Sequence, residues 1–83
     1  MKQVDPVAAG IRDIINERGF KQKAIATRAG FSIQQFSAML NGLKILRAYD
    51  LFNISAALGV SIEEIYKAGE KYRDKSAAAS NTN

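Results

Sequence analysis

Gly30 and Phe31 are all that separates one short helical segment from the next. Upstream, the stretch from about Lys21 to Ala29 has the apolar set Ile25, Ala26 and Ala29, and Gly30 suits the left-handed turn that stops such a helix. Downstream, Ser32 stands as an N-cap with Gln35 three residues on, the spacing of a capping box. Phe31 and Phe36 flank the pair as a hydrophobic staple, and Asn41-Gly42 ends the segment. Two helices with so short a connection must meet at a sharp angle. Small residues at 26 and 29 would let another helix approach closely.

The second of these helices has an unusual outer side. Phe36, Met39 and Leu40 share one face, which leaves Ile33, Gln34, Ser37, Ala38 and Asn41 on the other. No residue from Ala29 through Leu43 is charged. Around that neutral segment lie Arg18, Lys21, Lys23, Arg28, Lys44 and Arg47, with no acidic residue between Arg18 and Tyr49. The whole chain is +4, so this window of six cations leaves −2 elsewhere. Such an asymmetry points to a polyanionic partner, while a charge cluster alone is equally consistent with a solvated face.

The remaining elements follow from similar signals. Asp5-Pro6 starts a helix by capping and by proline in the first turn. Val7, Ile11, Ile14 and Ile15 continue it, and Arg18-Gly19 ends it. A fourth helix carries Ala48, Leu51, Phe52, Ile54, Ser55 and Leu58, with Asp50 in its first turn and Gly59 as its stop. A fifth repeats the capping device with Val60, Ser61, Glu64 and Ile65 and runs at least to Tyr66 or Lys67; Gly69 weakens the helical pattern beyond. Phe20, Phe36, Met39, Phe52 and Leu58 are expected in the core. Strand-like alternation is missing, so the expected class is all-α. The helical domain is expected over residues 1–70, and a C-terminal extension over 71–83 ends in a polar, disordered tail from Ser76.

Composition narrows the chemistry. Hydrophobic residues make up 47% and charged residues 24% of 83 positions, which fits one small globular domain. With neither cysteine nor histidine there is no disulfide framework, no thiolate and no imidazole base. Asp13, Glu17, Glu63 and Glu64 lack any paired-acid or metal-ligand context, and Glu63-Glu64 suits a helix start. No enzyme activity, cofactor or metal is therefore expected. No signal-type leader or apolar run of spanning length is present, so a cytoplasmic location without membrane partners is expected.

Residues Lys21 to Leu58 resemble the helix-turn-helix domain of phage lambda-type repressors and Cro proteins, the XRE family. The matching positions are Gln22, then Ile25, Ala26, Ala29 and Gly30, then Ser32, Phe36, Ser37, Leu40, Asn41 and Gly42, and finally Ile54, Ala56, Ala57, Leu58, Gly59, Val60 and Ser61. The resemblance implies a compact five-helix lambda-repressor-like domain with its third helix in the DNA major groove. Under it, Ser32, Ile33, Gln34, Ser37 and Ala38 read bases: Gln34 suits a bidentate pair with adenine, and Ile33 suits a thymine methyl. Gln22, Lys23, Gln35, Asn41, Lys44 and Arg47 meet the DNA backbone, Gln35 having capping as its other reading. Relatives often bury an ion pair where this chain has Ile15 and Leu40, they often cap helix 2 where Lys21 stands, and they often read guanine with a cation that helix 3 lacks.

The implied role is a transcriptional regulator of double-stranded DNA, expected to be a repressor of phage or mobile-element type that binds a palindromic operator as a homodimer. Tyr66, Tyr72, Ile45 and Leu46 carry apolar surface that suits the dimer contact, while Tyr66 and Tyr72 equally suit covering helix 1. An antitoxin-like module that neutralises a partner protein and autoregulates its operon is the alternative, and Ile33 would suit such a contact too. RNA binding would call for exposed aromatics on the basic surface between Lys21 and Arg47, where only Phe31 and Phe36 occur, both assigned to packing.

Overall fold

The computed structural model describes residues 5–73. Five α-helices follow one another: α1 (Pro6–Arg18), α2 (Gln22–Ala29), α3 (Ile33–Leu40), α4 (Ala48–Leu58) and α5 (Ile62–Gly69), and a 3₁₀ turn, Glu70–Tyr72, closes the chain. No strand occurs among the described residues. The expected tail from Ser76 lies outside them.

The capping chemistry appears where the sequence places it. The Asp5 carboxylate accepts the Val7 N–H at 3.0 Å, and Pro6 occupies the first turn. Ser32 and Ser61 each complete a capping box, with Gln35 and Glu64 as their partners. The Phe31 and Phe36 rings stack, 6.2 Å between centroids and 8° between planes, so the staple fixes how the chain enters α3. Gly30 sits at φ 87°, a conformation that a side chain would strain, and the turn is closed by the Phe31 N–H donating to the Ala26 carbonyl at 2.9 Å. Arginine has no acceptor to offer at the start of α4, so only the returning half of a box forms there, from the Arg47 N–H to Asp50 Oδ2 at 3.2 Å.

The core is one cluster to which every α-helix contributes. Ile11, Phe36, Ile54 and Ile65 are completely buried at its centre. Burying a side chain of this size contributes on the order of 1.5–3 kcal/mol. Ala26 and Ala29 are buried as well, where α2 packs against α4 and α3. Ile15 and Leu40 both lie in the cluster, so apolar packing replaces any buried charge at these two positions. Phe20 is half-buried against the same cluster.

Phe52 departs from expectation: it is 64% exposed. The sequence of α4, AYDLFNISAAL, is apolar almost all round, so periodicity does not reveal which arc faces inward. The arc chosen holds Leu51, Ile54, Ser55, Ala57 and Leu58. Ser55 satisfies its hydroxyl by donating to the Phe52 carbonyl at 2.9 Å. Phe52 is left on the opposite side with Tyr49 and Ala56.

The contact between α1 and α5 rests on two glycines. A Cβ on Gly10 would come within 2.6 Å of the Ile65 carbonyl oxygen and 2.8 Å of the Gly69 nitrogen, and a Cβ on Gly69 would collide with the Pro6 carbonyl. α5 therefore continues through Gly69, where the absent side chain lets the two backbones touch. Beyond it, the Tyr72 hydroxyl reaches the Asp13 carboxylate of α1, 2.8 Å from Oδ2, and Lys71 Nζ lies 3.1 Å from the same oxygen. The Tyr72 hydrogen bond, followed by that of Lys71, holds the Asp13 carboxyl below its ordinary range. The 3₁₀ turn carrying Lys71 and Tyr72 thus packs on α1, past the boundary expected at residue 70. Tyr72 covers α1, which was one of its two expected roles.

Candidate nucleic-acid interface

The outer face of α3 is built by the same packing that buries its inner face. With Phe36, Met39 and Leu40 in the core, Ile33, Gln34, Ser37, Ala38 and Asn41 line a shallow depression on the opposite side. Ile33 is 41% exposed, Gln34 and Asn41 are exposed, and Ser37 and Ala38 are half-buried. The Asn41 amide Nδ2 lies 3.4 Å from Ser37 Oγ, a long contact that leaves the amide capacity to spare. Gln34 makes no side-chain hydrogen bond among the described residues, so both its donor and its acceptor face outward.

Ser32 and Gln35 are engaged differently. The Ser32 hydroxyl oxygen accepts the Gln35 N–H at 3.1 Å, and Gln35 Oε1 accepts the Ser32 N–H at 3.0 Å. Gln35 therefore keeps its NH₂ group to donate elsewhere, but its carbonyl oxygen is committed to the cap. It does not line the depression with Gln34. Instead it lines a neighbouring groove with Lys44, Arg47 and Asp50, together with Phe31, Met39, Leu43 and Ile45. Gln35, Lys44 and Arg47 thus come together, while Gln34, Ser37, Ala38 and Asn41 form a separate group. Asn41 joins the α3 depression rather than the groove of Lys44 and Arg47.

Gln22 and Lys23 begin α2 and are exposed. Lys21 precedes them without a side-chain cap, so the first N–H groups of α2 stay open to an anion. Among the described residues, no carboxylate pairs with Lys21, Lys23, Arg28, Lys44 or Arg47. Arg18 differs: it lies 3.9 Å from Glu64 of α5. The basic surface is therefore carried by the other five. Among the described residues, no group of three acidic side chains is placed to hold a metal ion, and no helix is long and apolar enough to cross a membrane.

One residue was missed by sequence reasoning. Leu43, 73% exposed, lines both the α3 depression and the neighbouring groove. In NGLKIL it reads as one more apolar residue after a helix end, and nothing in the pattern turns it outward.

Two short helices thus meet at a tight turn, the second offering an uncharged face amid unpaired cations. The model of the helix-turn-helix family matches residues 11–65, from the middle of α1 to α5. The chain belongs to the XRE/lambda-repressor-like helix-turn-helix family. No curated protein and no solved structure matches it. Membership makes this helix-turn-helix chain an all-α, DNA-binding regulator, and α2 and α3 are its helix-turn-helix pair.

Proposed function

We propose that the chain is a sequence-specific repressor of phage or mobile-element type, acting in the cytoplasm as a homodimer on a palindromic operator. α3 lies in the major groove, with Gln34 and Ile33 meeting base edges and Ser32, Ser37 and Ala38 allowing close approach. Gln22, Lys23, Gln35, Asn41, Lys44 and Arg47 hold the phosphates on either side and set the register. Ser32 and Gln35 contribute from the capped end of α3, through the serine hydroxyl and the free glutamine NH₂.

The observation that carries this reading is the neutral, outward face of α3 between groups of unpaired cations. A charged helix would hold any phosphate, whereas short amide, hydroxyl and methyl groups discriminate between bases.

Selection of bound sites from random duplex DNA, at about 150 mM salt, tests it. A palindromic consensus is expected, with half-sites one helical turn apart, about 34 Å. A dimer is expected to release roughly 4 to 8 counterions, giving a steep loss of affinity between about 50 and 200 mM salt. Failure to enrich any sequence, or a log-log salt slope near zero, would overturn the reading.

A further inference from the structure

The side of α4 turned away from the core holds Tyr49, Phe52, Asn53 and Ala56, spaced as one helical face. Tyr49 is 74% exposed and Phe52 64%, two aromatic rings in water on a short helix. Isolated exposed apolar residues are ordinary, but two adjacent rings on one face mark an interaction surface. We propose that this face of α4 is where two copies of the chain meet, the contact that the homodimer of the proposed function requires.

Three observations favour a second copy as the occupant. The face bears no charge, in a chain whose net charge is +4, so two copies approach without opposing like charges. It is also complementary to itself. Two α4 helices crossing antiparallel about a two-fold axis between positions 52 and 53 set Tyr49 against the partner's Ala56, and Phe52 against the partner's Asn53. Each large side chain then meets a small or flat one, and each contact occurs twice, as an isologous interface demands. The third is size. The two rings offer on the order of 150 Å² each. Together they make a patch of roughly 300 Å² per copy. A contact of that size is smaller than a stable interface and fits a weak dimer strengthened when both copies sit on one duplex.

The other dimer surface expected from the sequence fares less well. Tyr72 is engaged with Asp13, and Leu46 is half-buried against the core. Of the four expected residues, Tyr66, 54% exposed beside Pro6, Val7 and Arg73, and Ile45, 81% exposed in the loop before α4, stay in solvent.

Sedimentation equilibrium of the full chain, up to about 1 mM and again with the selected palindromic duplex, decides the matter. Wild type should dimerise reversibly. Phe52→Glu should weaken the dimer at least about 30-fold while Tyr66→Ala leaves it unchanged. Asn53→Arg serves as a second variant, and circular dichroism verifies that both keep their helices. Phe52→Glu should also bind a half-site within about 2-fold of wild type and lose the cooperative gain on the full palindrome. A wild type that stays monomeric both alone and on DNA overturns the proposal. So does a dimer indifferent to Phe52→Glu and Asn53→Arg, or one disrupted by Tyr66→Ala instead. A dimer that depends on α4 but selects no DNA would uphold this interface and refute the repressor reading.

Discussion

α1 and α3 both turn one face to the same core, yet they treat their other sides in opposite ways. α1 is covered again: α5 lies against it through Gly10 and Gly69, and the 3₁₀ turn ties Tyr72 and Lys71 to Asp13. α3 leaves its outer side bare, with Gln34 unengaged and Leu43 largely in water. The difference separates a platform, where the facing groups are committed to one another, from the proposed reading surface, where groups stay uncommitted and open to a ligand. Substitutions should respect that division, with the platform answering in stability and the reading face in DNA binding.

The largest effect is expected at the glycine contact. Gly69→Ala places a methyl group onto the Pro6 carbonyl, a backbone neighbour unable to swing aside. It should cost about 3 kcal/mol or more in urea unfolding, at the severe end for overpacking. An effect under about 1 kcal/mol would mean that α1 and α5 are not in such close contact.

Equally large is the effect of bringing charge into the core beneath the outer face of α3. Leu40→Glu buries an unpaired carboxylate and should cost about 3–5 kcal/mol. The double variant Ile15→Arg with Leu40→Glu should recover much of this if the two side chains are neighbours across α1 and α3. Additive losses in the double variant would show that they are not.

The reading face itself should respond without any loss of stability. Gln34→Ala should cost on the order of 1–3 kcal/mol against the best site and relax preference at one position of each half-site. Lys44→Ala should weaken all sequences about equally and flatten the salt dependence. Equal loss of specific and non-specific binding in both variants would collapse the distinction between the α3 depression and the basic groove.

The smallest effect belongs to the tie between α1 and the 3₁₀ turn, and pH exposes it. Asp13 is held below its ordinary value of 3.8, chiefly by the Tyr72 hydroxyl and then by Lys71. What this adds to stability is fully present above pH 3.8 and is lost as pH falls through the lower, folded value. Tyr72 is shifted the other way, above 10.0, because its hydroxyl proton is shared with Asp13. Its share is present below pH 10.0 and disappears as pH rises through the higher value. Tyr72→Phe should therefore flatten both the acid and the alkaline limbs of a thermal-stability profile while leaving DNA binding at neutral pH unaltered. A profile that does not change would mean the hydrogen bond is not maintained in solution.

Helix order, the capping boxes at Ser32 and Ser61 and the stop at Gly30 were legible in the sequence because they are local. Each depends on residues three or four apart, which the chain itself holds together. The outward face of α3 was legible for the same reason: once Phe36, Met39 and Leu40 point inward, helical periodicity sends Gln34 and Ser37 outward. By contrast, nothing local distinguishes Phe52 from Leu51 in a helix that is apolar almost all round. Which of the two is buried depends on where α2 and α5 happen to lie. Gly69 read as a weak point of a helix because its purpose, a backbone contact with Pro6 and Gly10, lies some sixty residues away along the chain. The sequence alone thus determined the helices, their ends apart from that of α5, and the neutral face between cations, all set by neighbours along the chain. Tertiary structure alone decided which arc of α4 meets water, that Asn41 lies with Gln34 rather than with Lys44 and Arg47, and that Tyr72 is engaged by Asp13. Those outcomes follow from contacts between distant segments, which become definite only when the core has closed.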